Sequence, residues 1–144
     1  MRGYLIAIPV SVAIAMFDWK SGLGYISGYS LHRYVDNDWD IQGVNKSESR
    51  AVNELPIIGL YIFGVSSAYG AAFRRRHRKP DTHWPGYSTI IRLIVLFIIP
   101  FGYLDAYGVN FIGNGWHLFW INLWLGLSHA DAIHLYHDIK NTKE

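Results

Sequence analysis

The carboxyl-terminal part of the chain carries three potential metal-binding side chains on one helical face. Asp131, His134 and Asp138 are spaced i, i+3 and i+7, and at about 100° per residue this spacing confines them to an arc of about 60°. Divalent metals such as zinc bind imidazole and carboxylate groups in proteins. The spacing therefore predicts a face able to bind metal. For each residue taken alone, a structural hydrogen bond is the alternative.

A second group of acidic residues follows the second apolar stretch. Asp36, Asp38 and Asp40 alternate with other residues, and in an extended segment alternate side chains point the same way, which crowds their charges. A divalent cation with oxygen ligands would relieve that repulsion, and so would a nearby basic segment. A solvated helix end is the third interpretation. His32 lies one helical turn before Asp36 and is able to join the same set.

A third group surrounds Pro80. His77 and His83 flank this proline, so a rigid turn could present two imidazoles together. Residues 74–79 contain five positive charges. This basic run is typical of a cytoplasmic topology anchor. If it contacts a substrate instead, the expected partner is a phosphate or an anionic lipid head group.

Unusually apolar elements must position these residues. The chain has 144 residues, 51% of them hydrophobic and only 17% charged, with a net charge of +2, whereas about 25% are charged in ordinary soluble domains. The length predicts one domain over residues 1–144. Cysteine is absent, which excludes disulfides, thiolate metal sites and a cysteine nucleophile within this sequence. The composition favours a small membrane protein.

The hydropathy pattern predicts an all-α protein with five apolar helices separated by polar segments. These helices cover residues 4–17, 21–34, 55–73, 86–108 and 116–140. Residues 41–54 show no sustained period and are predicted to form a loop. Ser21 is the expected cap of the second helix, and Pro100 is expected to kink the fourth. Small residues of the second helix should form a smooth face for the first helix; they are Gly22, Gly24 and Gly28.

The position of the three polar groups constrains the topology. If all five helices crossed a membrane, the acidic run and the His77–His83 turn would lie more than about 30 Å apart on opposite sides. If residues 55–73 lie in the interface or re-enter, all three groups meet on one side. The positive-inside rule independently places the basic segments together in the cytoplasm. We therefore predict about four transmembrane helices plus one interfacial or re-entrant helix.

In this order, the motifs resemble the membrane-bound metal-dependent hydrolase-like family of small bacterial and archaeal inner-membrane proteins. The resemblance lies in an Asp-x-Asp, a His-Arg element followed by Thr-His, an Arg nine residues later and a final His-x-x-x-Asp. It implies the metal ligands Asp38, Asp40, His77, His83, His134 and Asp138, with Arg92 in support. The sequence departs from the family pattern in one extra residue between His77 and His83. The histidine that opens the pattern is not found in residues 1–4, and His32 is its candidate replacement.

The resemblance implies a metal-dependent hydrolase in a prokaryotic inner membrane, acting on a phosphodiester or phospholipid head group at the cytoplasmic face. Zinc is the first candidate metal, with manganese and iron as alternatives; the metal would activate water. Asp131 is expected to act as base or extra ligand, and Arg78 or Arg92 to stabilise developing charge.

Two other hypotheses stay open. One is a non-catalytic membrane protein stabilised by metal; the other is a structural subunit of a larger, for example viral, membrane assembly. The expected partners are the lipid bilayer and other membrane proteins, and no specific nucleic acid is predicted.

Overall fold

The structure is a computed structural model that describes residues 4–35, 46–73, 84–108 and 115–141. In these ranges every regular element is helical, which confirms the all-α prediction. In chain order the elements are α1 (Tyr4–Ala15), α2 (Trp19–Leu31), α3 (Lys46–Glu54), α4 (Pro56–Phe73), α5 (Tyr87–Leu93), a π-helical turn (Ile94–Ile98), α6 (Ile99–Asp105) and α7 (His117–Asn141).

Asp18, not Ser21, caps the second helix. The backbone of Asp18 is extended, and its carboxylate accepts hydrogen bonds from the amide of Ser21 at 2.8 Å and from the hydroxyl of Ser21 at 2.5 Å. These two bonds, the hydroxyl bond first, lower the pKa of Asp18. The prediction of a Ser21 cap is therefore wrong by three positions, because an aspartate before the helix satisfies the exposed amide better.

Part of the predicted polar loop is a helix. α3 forms a hairpin with α4, and Ala51 is completely buried against Gly59. The Leu55 amide donates to the Ala51 carbonyl at 2.9 Å, which continues the helical bonding into the connection. The loop prediction is therefore wrong for residues 46–54. The sequence of α3 is mostly polar, so this helix does not stand out as an apolar segment.

α2 packs most closely on α7. Added to Gly28, a Cβ would lie 2.7 Å from the carbonyl carbon of Leu123, and added to Gly24 it would lie 3.0 Å from that of Phe119. Only Gly22 of the three glycines faces α1. The prediction that all three form a face for α1 is wrong for Gly24 and Gly28, because these glycines allow backbone contact with α7 instead.

α2 and α7 run in the same direction. Gly24 lies beside Phe119 near the start of both helices, and His32 lies beside Asp131 beyond the end of α2. We call this second region the histidine end of the bundle. At the opposite end, which we call the tryptophan end, the rings of Trp19 and Trp116 meet edge to face at 6.2 Å.

α1 and the segment from α5 to α6 run in the opposite direction to α2 and α7. Tyr4 begins α1 with its ring 5.1 Å from that of Tyr29, near the histidine end. The segment from α5 to α6 begins near Ser128 and carries Phe101 against Trp120, near the tryptophan end. The starts of α1 and α5, the end of α2 and the later part of α7 therefore share the histidine end.

The helix is irregular immediately before Pro100. The proline has no amide hydrogen to donate to the Leu96 carbonyl four residues earlier. A π-helical turn precedes it, in which the Ile99 amide bonds to the Ile94 carbonyl five residues earlier. The Tyr61 hydroxyl of α4 donates to the Leu96 carbonyl at 3.0 Å. This bond connects the α3–α4 hairpin to the irregular turn.

Among the described residues, one helical stretch is long and apolar enough to cross a membrane. It covers Tyr87–Asp105, with 19 residues and a mean hydropathy of 1.8. The apolar helices Tyr4–Ala15 and Pro56–Val65 are shorter. The sequence predicts about four crossings. One described helical stretch meets the length and hydropathy criterion for a crossing, so the described helices do not confirm the other three.

Candidate functional site

A completely buried ion pair joins α5 to α7. Arg92 and Asp131 each have no exposed surface, and the Nη2 group of Arg92 donates to Oδ2 of Asp131. A buried guanidinium is costly unless it is neutralised and fully hydrogen-bonded. The stability of this buried pair therefore depends on the other hydrogen bonds that the two side chains make.

Arg92 finds those partners on two further pieces of backbone and one hydroxyl. Its Nη1 group donates to the Val35 carbonyl at 2.7 Å, and its Nη2 group donates to the Ser88 hydroxyl at 3.2 Å. Its Nε donates to the Ser88 carbonyl at 3.4 Å. Helical side chains lean toward the start of their helix, so Ser88, one turn earlier, lies within reach. One guanidinium thus binds together α5, α7 and the exit of α2.

The second oxygen of Asp131 contacts His32, which in turn contacts His134. Oδ1 lies 2.9 Å from Nδ1 of His32, whose side chain is 19% exposed. Nε2 of His32 lies 3.3 Å from Nδ1 of His134, and the two rings are nearly perpendicular. We call Arg92, Asp131, His32 and His134 the core network. It leads from a closed interior to a partly exposed imidazole.

Neighbouring polar contacts hold α5 against α7. The Gly86 carbonyl accepts bonds from the Thr89 hydroxyl at 2.8 Å and from the indole nitrogen of Trp124 at 2.9 Å. The Thr89 and Ser128 hydroxyls are 2.8 Å apart. These bonds satisfy polar groups beside the core network, so they fix Arg92 relative to Asp131.

A separate contact engages another histidine of α7. Nδ1 of His129 is hydrogen-bonded to the Tyr25 hydroxyl, and the Tyr29 ring meets the His129 ring edge to face at 5.6 Å. His129 therefore faces α2 away from the core network. Tyr25 could not be predicted as the partner of His129 from the sequence, because periodicity within one helix carries no information about a residue 104 positions away.

The structure brings together four of the residues that the sequence singled out: His32, Arg92, Asp131 and His134. Asp138 lies on α7, but its side chain is outside the described part of the chain. Several predicted site residues lie outside the described residues altogether, namely Asp36, Asp38, Asp40, His77, Arg78 and His83. Val35, which precedes Asp36, contributes its carbonyl to Arg92.

A second arginine–carboxylate pair lies at the protein surface. Arg33 donates to Oε1 of Glu54 at 2.6 Å, and the Tyr34 hydroxyl donates to Oε2 at 2.9 Å. The two charged side chains are 50% and 40% exposed. The hydrogen bonds from Arg33 and then Tyr34 lower the pKa of Glu54. This pair links the exit of α2 to the end of α3.

The core network contains two imidazoles, a donor type that zinc and other divalent metals bind. Within the described ranges, no group of three or more His, Asp or Glu side chains is arranged to hold a metal ion. The two facing imidazole nitrogens of His32 and His134 are nevertheless 3.3 Å apart. Two nitrogens bound tetrahedrally to zinc at about 2.0–2.1 Å would be separated by about 3.3 Å. The pair therefore fits two positions of a metal site whose other ligands would come from elsewhere.

Comparisons with protein-family models, with curated proteins and with solved structures found no match to this chain.

Proposed function

We propose that this chain is a multi-pass inner-membrane protein that binds a divalent metal through His32 and His134 and hydrolyses a phosphodiester or phospholipid head group. The observation that carries the proposal is the 3.3 Å approach of Nε2 of His32 to Nδ1 of His134. Neutral imidazole nitrogens at this separation match the donor type and spacing of a tetrahedral zinc site. Manganese and iron, which also accept imidazole, are the alternative metals.

The directions of the helices support a one-sided site. The end of α2, the start of α5 and the later part of α7 share the histidine end. Segments 36–45 and 74–83 are attached to that end through Val35 and Trp84. These segments contain the carboxylates and imidazoles that the sequence predicts as further ligands. Four crossings, with the α3–α4 hairpin in the interface, would give the same arrangement.

The surface of the described helices supports a membrane location. Met16, Phe17 and Ile57 are each more than four-fifths exposed, and soluble monomers rarely expose extended apolar surface. At the tryptophan end, the Lys20 ammonium lies 5.2 Å from the centre of the Trp116 ring. Trp and Lys side chains of this kind are typical of the bilayer interface.

The residues of the core network would perform distinct tasks in hydrolysis. When bound, a divalent metal supplies Lewis-acid polarisation and lowers the pKa of a bound water. His32 and His134 would hold it at the edge of the bundle, where His134 is partly exposed. Arg92 is completely buried and bonded to Asp131, Val35 and Ser88, so its contribution is to hold Asp131 and the α2 exit in place. We assign the contact with the phosphate instead to the basic run of residues 74–79, which includes Arg78.

One observation favours a second candidate, a closed metal site that only stabilises the protein. Both oxygens of Asp131 are engaged, and the residue is completely buried. In this state Asp131 offers no oxygen to a metal and none to a substrate proton. Hydrolysis would therefore need a base from beyond the core network, whereas a structural site would need none.

Metal analysis of the detergent-purified protein tests the proposal. We expect about one zinc, manganese or iron ion per chain, strongly reduced in His32→Ala and in His134→Ala. His117→Ala is the matched control, because His117 is exposed at the tryptophan end of the same helix. Absence of stoichiometric metal from wild-type protein prepared without chelators would refute the metal site and the hydrolase together.

Hydrolysis assays separate the two candidates. Metal-loaded protein should cleave bis(p-nitrophenyl) phosphate or an anionic phospholipid in mixed micelles, and His134→Ala should remove that activity. Wild-type protein that holds its metal, loses thermal stability when the metal is removed and cleaves neither compound would favour the structural site.

A further inference from the structure

We infer that Asp131 is a positioning residue that holds His32 in the tautomer with its proton on Nδ1, and that Arg92 fixes the orientation of Asp131. The purpose of this arrangement rests on the proposed function, because it presents the unprotonated Nε2 of His32 to a metal. The tautomer itself follows from the hydrogen bonds of the described residues.

Arg92 determines which role Asp131 plays in their hydrogen bond. Every polar group of a guanidinium is a donor, so Oδ2 of Asp131 must accept the bond from Nη2. Three further donors of Arg92 are directed to the Val35 carbonyl and to the carbonyl and hydroxyl of Ser88. The buried positive charge therefore has one carboxylate to neutralise it among the described residues. This requirement makes Asp131 an ionised acceptor.

Asp131 in turn determines which ring nitrogen of His32 carries the proton. An ionised carboxylate only accepts hydrogen bonds, so the 2.9 Å contact between Oδ1 and Nδ1 requires a hydrogen on Nδ1. A neutral imidazole then carries a lone pair on Nε2, the atom that faces His134 at 3.3 Å. Metal-bound histidines in proteins usually donate their other N–H to a carboxylate in this manner. Asp131 touches His32 on the side away from the proposed metal.

An amide in place of the Asp131 carboxylate should reverse the tautomer of His32. In Asp131→Asn, the carbonyl oxygen must still face Arg92, because Arg92 offers only donors. The NH₂ group then faces Nδ1 of His32, which must accept. The proton of His32 moves to Nε2, and the atom facing His134 no longer has a lone pair for a metal. Shape is retained while the tautomer is reversed.

Nitrogen-15 NMR of histidine-labelled, metal-free protein at about pH 8 reads the tautomer directly, because the protonated and the unprotonated nitrogen of a neutral imidazole have different chemical shifts. We expect wild-type His32 to be protonated on Nδ1 and the Asp131→Asn variant to be protonated on Nε2. Ser88→Ala is the control, because it removes one bond to Arg92 and leaves both oxygens of Asp131 engaged. It should retain the wild-type tautomer.

Cobalt(II) titration, followed by its visible absorption, then measures the consequence for binding. We expect the Asp131→Asn variant to bind 10 to 100 times more weakly than wild type, with Ser88→Ala near wild type. Wild-type His32 protonated on Nε2, or a folded Asp131→Asn variant that keeps both tautomer and affinity, would overturn the inference. If Asp131→Asn does not fold, the wild-type spectrum alone decides the tautomer. An Nδ1 proton in a protein that binds no cobalt would uphold the positioning role and refute the proposed function.

Discussion

The pairs Arg92–Asp131 and Arg33–Glu54 have the same chemistry in two different environments. Arg92 and Asp131 are completely buried, and each makes bonds to further groups. Arg33 and Glu54 are 50% and 40% exposed. Both pairs connect the region at the exit of α2 to another helix. Their difference in solvent exposure therefore isolates the effect of burial on an ion pair.

Burial makes the hydrogen-bond partners of a charged side chain depend on one another. Water can replace a lost partner of Arg33, whereas nothing replaces a lost partner of Arg92. The core network is consequently an all-or-none arrangement, in which one side chain fixes the protonation and orientation of the next. The surface pair only adds a weak link between α2 and α3.

Removing a carboxylate should have the largest effect at the buried pair. Asp131→Ala leaves the Arg92 guanidinium buried without a counter-charge, and breaking a buried pair in this way costs about 3–5 kcal/mol. Thermal and denaturant unfolding in detergent would measure the loss. Glu54→Ala is the matched control, because it removes a carboxylate from the same kind of pair at the surface. Equal losses in the two variants would contradict the role of burial.

A substitution at the glycine contact between α2 and α7 should cause the second-largest loss of stability. In Gly28→Ala the added methyl group would overlap the Leu123 carbonyl, and overpacking of this kind costs about 1–3 kcal/mol. The shift between α2 and α7 should also move His32 away from Asp131. Gly64→Ala is the control, because nothing lies within 4 Å of the added atom.

In the middle of α4, that control should gain up to about 1 kcal/mol from the higher helix propensity of alanine. Unfolding measurements and metal content on both variants would test the prediction. A Gly28→Ala variant as stable as Gly64→Ala would show that α2 and α7 are not in backbone contact.

Salt should weaken the surface pair and leave the buried pair almost unchanged. At 1 M salt the screening length falls to about 3 Å for exposed charges, while buried pairs are screened much less. The destabilisation caused by Glu54→Ala should therefore shrink with added salt, and that caused by Asp131→Ala should persist. Unfolding of both variants at low and high salt tests this difference, and similar salt dependence would contradict it.

The smallest expected effect is the pH dependence of the surface pair. The hydrogen bond from Arg33 lowers the pKa of Glu54 in the folded protein. A lowered folded pKa stabilises the protein above the ordinary range of glutamate and loses that contribution as the pH falls through it. The wild type should therefore melt slightly above Glu54→Gln at neutral pH, and the difference should shrink as the pH falls below the ordinary range of glutamate. A difference that grows toward acid would contradict the assignment.

The amino-acid sequence predicts those features that are repeated along a single helix. The shared face of Asp131 and His134 and the all-α class follow from spacing or hydropathy. The bond between Arg92 and Asp131 does not, because it joins residues 39 positions apart on different helices. α3 was not predicted for a different reason. Its contact with α4 is made by Ala51 against Gly59 and not by an apolar stripe.

X-ray absorption spectroscopy of the zinc-loaded protein tests the central claim most directly, because it reports which atoms bind the metal. We predict a first shell that contains at least two imidazole nitrogens at about 2.0–2.1 Å. His32→Ala and His134→Ala should each remove one of them, while His117→Ala should remove none. A shell without imidazole, or one that is unchanged in both single variants, would contradict the account.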